Sequence, residues 1–294
     1  MALITYNRVE FLRANVPRIR ALLHPGDELL ILDNNSADGT PAFLAGVRGA
    51  EVRSVRVERQ GLNVCRNAAV AEARHDHVAY IDDDAWPAPG WLAAYRESRD
   101  RWPGAALHAG RTELDFEAAP PRHLPRKFRY LLGAIDYGDA PRPLSPVESP
   151  GGGNMMVDRT RLGAPAPFDE KFDRRGTGLL NNGETELVER LRARGERIVY
   201  APGAVIHHWA SRERAGGRWL LRRAFYQGVS DGLVAAKRRR YPYYLARRLA
   251  FHFTRGPLET LQRWREPRAL AFGLLLDASK TAGAVLAARR ADGG

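Results

Sequence analysis

The sequence predicts an α/β fold, with a mostly parallel sheet flanked by helices and a helical C-terminal extension. Three observations carry this. Short apolar or β-branched runs alternate with helical patterns through the first hundred residues, polar clusters close three of the first four runs, and after about residue 212 the chain turns arginine-rich and amphipathic. Strand and helix in alternation build parallel units, because a parallel return needs a crossover.

The strands are "ALIT" at 2 to 5, "ELLILD" at 28 to 33, "VRSVRV" at 52 to 57 and "HVAYID" at 77 to 82. Between them 9 to 23, 40 to 47 and 66 to 74 read as helices, the second with Thr40 as cap and Pro41 in its first turn. "TYNR", "DNNSADGT" and "DDD" follow the first, second and fourth strands, at the carboxyl ends where open α/β sheets bind ligands. Prolines from Pro120 to Pro150 and the run "GGGN" make 111 to 153 a long substrate-facing loop or lid, with a strand "NMMVD" after it. A helix over 184 to 194 places Leu187, Val188 and Leu191 on one side and ends at Gly195. "RIVYAPGAVIHHW" gives two short strands around Pro202. The expected organisation is one domain over 1–212, in halves 1–110 and 111–212, and an extension over 213–294.

The chain has 294 residues, 44% of them hydrophobic, and a formal charge of +12. Its lysines are Lys127, Lys171, Lys237 and Lys280, so the positive charge is almost all arginine, whose planar fork suits phosphate. Nucleic acid, an anionic membrane surface and a phosphorylated small molecule are the three partner classes this permits. Cys65 is the single cysteine, so no intrachain disulfide forms and a reducing compartment is expected. It reads as a packing residue, since no base stands near it. Thr5, Asn7 and Arg8 interrupt any apolar leader, and "ALAFGLLL", ending at Asp277, is too short to span a bilayer.

In "YIDDDAWPAPGWL" three carboxylates stand in a row at a strand's end. Alternation puts Asp82 and Asp84 on one face and Asp83 on the other, so a cation is expected between the first two.

With these motifs in this order, residues 1 to about 210 resemble the family 2 glycosyltransferases. The stretches that carry the resemblance are "ITYNR", "LDNNSADGT", "GLNVCRNAAVAEA", "YIDDDAWPAPGWL", "GGGNMMVDR", "GETELVERLRARG" and "YAPGAVIHH". The resemblance implies a GT-A fold that moves a sugar from a nucleotide diphosphate to an acceptor. It implies a nucleotide-binding half over 1–110 and an acceptor half over 111–212. Asp84 would hold Mg²⁺ or Mn²⁺, and Asp82 would face the ribose or the metal. Asp83 belongs to the same donor-binding group without a catalytic role. Asp33 would read the base, commonly uracil, against a local role as turn and cap. Thr5, Tyr6, Asn7 and Arg8 would form the other wall of the nucleotide pocket, and Arg66 would lie near the diphosphate. Trp86, Gly152, Gly153 and Asn154 are candidates for the sugar or acceptor. Glu184 stands at the position of the carboxylate base, where the family more often has aspartate, and Gly183 replaces the usual preceding acid. Glu186 competes for that role or contacts the acceptor. His208, six residues after Pro202, would complete the metal shell or touch a phosphate.

The expected activity is inverting, metal-dependent transfer from a UDP- or dTDP-sugar to a hydroxyl on a saccharide, a lipid-linked glycan or a natural product. A cytoplasmic enzyme is expected, peripheral at the inner face of the membrane or dimeric through its C-terminal helices, with no nucleic-acid partner. A sugar-1-phosphate nucleotidyltransferase shares the sheet, yet "TYNRVEFL" lacks the Gly-rich phosphate loop of that class. A nucleic-acid-binding protein, suggested by the charge and by "KRRR" at 237 to 240, gives strand-end carboxylates no role.

Overall fold

The computed structural model describes residues 1–119, 121, 124–173, 178–237, 243, 244, 246 and 267–291. Strand β2 (Leu29–Asp33) is apolar without alternation up to its terminal aspartate and buried along its whole length, as a parallel strand covered on both faces must be. It lies between β3 (Val52–Arg56) and β1 (Ala2–Thr5), and β1 pairs in turn with β4 (His77–Asp82), all in parallel. Helices α1 (Val9–Arg20), α2 (Thr40–Gly46) and α3 (Leu62–Glu72) are the crossovers. Thr5 pairs with Asp33 and Ile4 with Asp82, so three strands deliver their polar ends to one edge.

Beyond β4 the sheet turns antiparallel. The remaining elements are β5 (Ala85–Pro87), α4 (Trp91–Arg101), β6 (Leu107–Phe116), β7 (Arg142–Pro143), β8 (Asn154–Asp158), α5 (Gly183–Ala193) and β9 (Ile198–Ala210). The strand order is β3-β2-β1-β4-β8-β6-β9-β5, with β7 also on β9. Successive strand residues go to opposite layers. Ile4, Leu32 and Tyr80 pack with Cys65 and Ala69 of α3 and with Leu187 of α5, while Leu3, Ile31 and Ile81 pack with Leu12 and Val16 of α1 and with Trp91 of α4.

Four local expectations are corrected. Thr40 does not cap α2: Gly39 holds that position, and Asp38 Oδ1 accepts from Thr40 N at 2.9 Å. Helix α3 starts at Leu62 rather than 66, because Asp173 Oδ1 accepts from Asn63 N at 2.7 Å and completes the first turn from far along the chain. The stretch 111–153 is not all loop, since β6 runs on to Phe116, a 3₁₀ helix covers Arg126–Leu132 and β7 follows. The chain around Pro202 is one strand, β9. Pro202 falls between the residues paired with β7, Val199 and Tyr200, and those paired with β5, Ile206 to His208, so the ladders to β7 and β5 do not use its missing N–H.

Residues 1–115, 134–177 and 183–209 form one unit, and residues 116–133, 178–182 and 210–294 a second. In the second, α6 (Gly217–Lys237) packs along α7 (Pro267–Ala291). Asp231 joins them: its Oδ2 takes Lys280 Nζ at 2.8 Å, and its Oδ1 accepts from Asn182 Nδ2 at 2.7 Å and Gln227 Nε2 at 2.8 Å. "ALAFGLLL" alone is short, but α7 continues past it, and residues 267–287 are long and apolar enough to cross a membrane by length and composition. Leu276, Ala284 and Ala287 of α7 are buried, whereas Leu274, Leu275 and Val285 are exposed. The arginines of "KRRR", residues 238–240, and most of the extension up to 266 lie outside the described residues.

Candidate active site

The acidic turn after β4 is shaped by pairing on both sides. β5 runs antiparallel to β9 with Ala85 opposite His208, and Trp209 N donates to the Asp84 carbonyl at 2.8 Å. This brings His208 Nε2 to 3.3 Å from Asp84 Oδ1. One ligand atom from each of Asp82, Asp84 and His208 lies within 4.8 Å of the other two. Two carboxylate oxygens and an imidazole nitrogen fit a hard or borderline divalent cation such as Mg²⁺ or Mn²⁺.

Arg8 enters the same turn. Its Nη1 donates to Asp83 Oδ1 at 2.7 Å and to Asp84 Oδ2 at 2.6 Å, and Thr5 Oγ1 donates to Asp83 Oδ2 at 2.8 Å. Burial pushes the Asp83 carboxyl up, against the opposing pull of Arg8. Burial alone would lower the Arg8 guanidinium, yet Asp83 and Asp84 more than offset it and hold it above the usual arginine range. Arg8, expected in the wall of the nucleotide pocket, is held on the carboxylates of Asp83 and Asp84.

Arg66 lies on α3, buried, with its guanidinium carbon 5.6 Å from the centre of the Phe168 ring. Its Nη1 donates to Asn63 Oδ1 at 3.1 Å and to Glu184 Oε2 at 3.3 Å. The glycine run joins this pair to the acidic turn. A Cβ on Gly152 would stand 2.0 Å from Arg66 Nη2 and 3.2 Å from Glu184 Oε2, and a Cβ on Gly153 would stand 2.3 Å from Asp82 Oδ2. Only glycine allows this backbone to approach both groups. Asp82 and the Arg66–Glu184 pair are therefore neighbours of two consecutive residues, so the metal-type ligands and the candidate base share one site.

Most other predicted residues have partners of their own. Asn154 is fully buried and its side chain is spent. Its Oδ1 accepts from Trp91 Nε1 and Tyr95 Oη, both at 2.8 Å, and its Nδ2 donates to the carbonyls of Arg111 at 2.7 Å and Ala204 at 2.8 Å. That leaves no amide valence for an acceptor. Glu186 is not beside Glu184 either, because residues two apart on a helix face different ways. Arg190 Nε holds its carboxylate at 3.0 and 3.1 Å. Trp86 pairs with His207, on the strand face opposite to the Ala85–His208 pair, and packs 5.9 Å from Trp209 with Arg18 over its ring. Asp33 Oδ1 accepts from Ser36 N at 3.0 Å, the local turn role, and its Oδ2 lies 3.6 Å from Arg56. Asn7, at φ 52°, ties its loop to the next: its N donates to Ser36 Oγ at 2.9 Å and its Oδ1 accepts from Ala37 N at 2.7 Å. Tyr6 is half-buried between Thr5 and Asn7. Burial pushes the Cys65 thiol up to about 12, so it stays protonated and packs.

Residues 2–113 match the family described as Glycosyl transferase family 2. Over that stretch the chain is similar to the family 2 glycosyltransferases. The glucosyl-dolichyl phosphate glucuronosyltransferase of Haloferax volcanii is 27% identical to it over 178 residues, which are 60% of this chain and 56% of that protein. The succinoglycan biosynthesis protein ExoM of Rhizobium meliloti is 24% identical over 228 residues, 76% of this chain and 68% of ExoM. The chain thus spans little more than half of the first relative. The solved mannosyltransferase PcManGT of Pyrobaculum calidifontis, in complex with GDP-Man and Mn²⁺, covers 98% of this chain and is covered over 86% of its own length, with a TM-score of 0.63 at 18% identity. TarS 1–349 of S. aureus, in complex with UDP, gives 0.55 at 13% identity, covering 100% and 91%. These likenesses establish the GT-A fold.

Several partners in the site had no part in the sequence reading. Asn63 and Phe168 fix Arg66, and Asp173 fixes the helix that carries it. Asn63 stands inside "GLNVCRN", within reach of a local reading; Phe168 and Asp173 are far along the chain, and nothing local marks them.

Proposed function

We propose that the glycosyltransferase moves a sugar from a nucleoside diphosphate sugar to a hydroxyl acceptor with inversion, using a divalent cation at Asp82, Asp84 and His208 and Glu184 as general base. The observation that carries this reading is the close approach of Gly152 and Gly153 to the two ends of the site. A bound Mg²⁺ or Mn²⁺ would neutralise the leaving diphosphate. Glu184 Oε2 accepts the proton of the attacking hydroxyl, and that proton stays on the carboxyl until it exchanges with solvent. Arg66 orients Glu184 from its buried seat. Asp33 Oδ2, the oxygen not bonded to Ser36, would accept from the N3–H of uracil or thymine in a UDP- or dTDP-linked donor.

The first test is a thermal-shift titration with nucleoside diphosphates, with and without Mn²⁺. A ligand at a hundred times its dissociation constant stabilises by about 2.7 kcal/mol. UDP with Mn²⁺ is expected to raise Tm, and Asp84→Asn to remove the Mn²⁺-dependent part while leaving the unliganded Tm near wild type. An equal metal-dependent shift in Asp84→Asn would move the cation elsewhere. Pyrophosphate release from a sugar 1-phosphate and a nucleoside triphosphate would instead mark a nucleotidyltransferase.

For the acceptor, the exposed Leu274, Leu275 and Val285 on α7 favour one held at a membrane surface, as a lipid-linked saccharide would be. Flotation with anionic liposomes tests this; protein that stays at the bottom at low salt removes the membrane, and a monomer in solution removes dimerisation through these helices.

A further inference from the structure

We infer that Arg8 is the resident cation of the metal site: its guanidinium holds Asp84 until the donor arrives, so the divalent cation loads together with the nucleoside diphosphate and not ahead of it. This rests on the proposed metal site at Asp82, Asp84 and His208, and adds to it an order of binding.

Asp84 is contacted through both oxygens, Oδ1 by His208 at 3.3 Å and Oδ2 by Arg8 at 2.6 Å. A divalent ion drawn to this carboxylate therefore meets a fixed positive charge in contact with its ligand. Like charges at such separation in a partly buried site repel strongly, and salt screens them little. The cost disappears only if Arg8 moves.

The surroundings make that movement feasible. The Arg8 side chain is 31% exposed, against 4% for Arg66, so its head group stands at the mouth of the site. The Phe11 ring already lies 5.7 Å from its guanidinium carbon, a contact that does not depend on the carboxylates. Asp83 does not depend on Arg8 alone, because Thr5 Oγ1 holds its other oxygen at 2.8 Å. A diphosphate gives a departing guanidinium what it needs, two anionic oxygens in fork geometry. Donor and metal together thus give Asp84 a new cation and the departing guanidinium new anions in place of Asp83 and Asp84, whereas metal alone leaves the displaced guanidinium without an anion.

Mn²⁺ binding tests this without any turnover, by counting free Mn²⁺ by electron paramagnetic resonance, with and without UDP. Without nucleotide, Arg8→Met is expected to bind Mn²⁺ about tenfold more tightly than wild type, and Arg8→Lys, which keeps the charge, to stay close to wild type. With saturating UDP, wild type and Arg8→Met should differ by much less. Equal or weaker Mn²⁺ affinity in Arg8→Met without nucleotide, beside lost binding in Asp84→Asn, overturns the role of Arg8 and leaves the metal site standing. Undiminished binding in Asp84→Asn removes the metal site and the inference with it. Should Arg8→Met not fold, because Asp83 is left buried without its counter-charge, Arg8→Met on an Asp83→Asn background reads the same quantity.

Discussion

The turn after β4 and the start of α5 each bring buried acids against an arginine, and the two arginines are held in different ways. Arg8 touches Asp83 and Asp84 at 2.7 and 2.6 Å from a position 31% exposed. Arg66 touches Glu184 at 3.3 Å from a position 4% exposed, with Asn63 on the same nitrogen and Phe168 beneath its guanidinium. The closer pair is the one that solvent can reach, and the looser pair is the one locked in place. Distance alone is therefore a poor guide to permanence. Arg66 is part of the scaffold, while Arg8 has somewhere to go.

The largest expected effect tests what the locked arginine is for. Glu184→Gln keeps size and hydrogen bonding but cannot take a proton, so transfer at saturating donor should fall by roughly 10²-fold to 10⁴-fold while calorimetric donor affinity holds. Near wild-type turnover would dismiss Glu184 as base and reduce Arg66 to a structural partner. Next comes stability. Arg66→Met removes one partner of a buried pair and should lower unfolding free energy by about 3 to 5 kcal/mol in urea titration. Arg8→Met, measured against an Asp83→Asn background so that the buried Asp83 is not stripped of its counter-charge, should lose clearly less. A larger loss for Arg8 would reverse the comparison.

The two glycines separate the ends of the site more finely. Gly152→Ala must displace Arg66 or Glu184, and Gly153→Ala must displace Asp82. The first should cut turnover by about ten- to a hundredfold with Mn²⁺ affinity kept, and the second should weaken Mn²⁺ binding as well. Identical profiles for the two would mean that the ends are not independent. The smallest effect belongs to Glu186→Gln. Its partner Arg190 is 37% exposed, so about 1 kcal/mol of stability is at stake and turnover should stay near wild type.

The parallel half of the fold was legible because its signals are local: unbroken apolar runs such as "LLILD", helical spacing between them, and polar residues where each strand ends. The antiparallel half was not. Strand β9 looked broken because Pro202 seemed to stop it, and only its pairing partners show that β5 and β7 bind it on either side of the proline. The site divides the same way. Asp82, Asp84, Arg66 and Glu184 stand in motifs, and the Glu186–Arg190 pair has the i,i+4 spacing that the sequence itself displays. The carboxylates that Arg8 holds could not be read locally, because they lie 75 and 76 residues away. Asn154 beside the glycines looked like a ligand, and its four bonds to Trp91, Tyr95, Arg111 and Ala204 have no sequence signature at all.

The cap that Asp173 places on α3 comes from 110 residues beyond its donor, and Asn67 and Phe168 exchange two further bonds across 101 residues. As the chain leaves the ribosome, α3 emerges long before the segment that finishes its first turn, and β4 emerges before β8, its antiparallel neighbour. The helix bearing Arg66 therefore waits, half-made, until about residue 173 is free to reach it. A nascent chain that stops at residue 113, where the family match ends, contains the parallel strands and the aspartates but lacks both closures. The stretch that matches the family model thus ends before the two contacts that close α3 and β4.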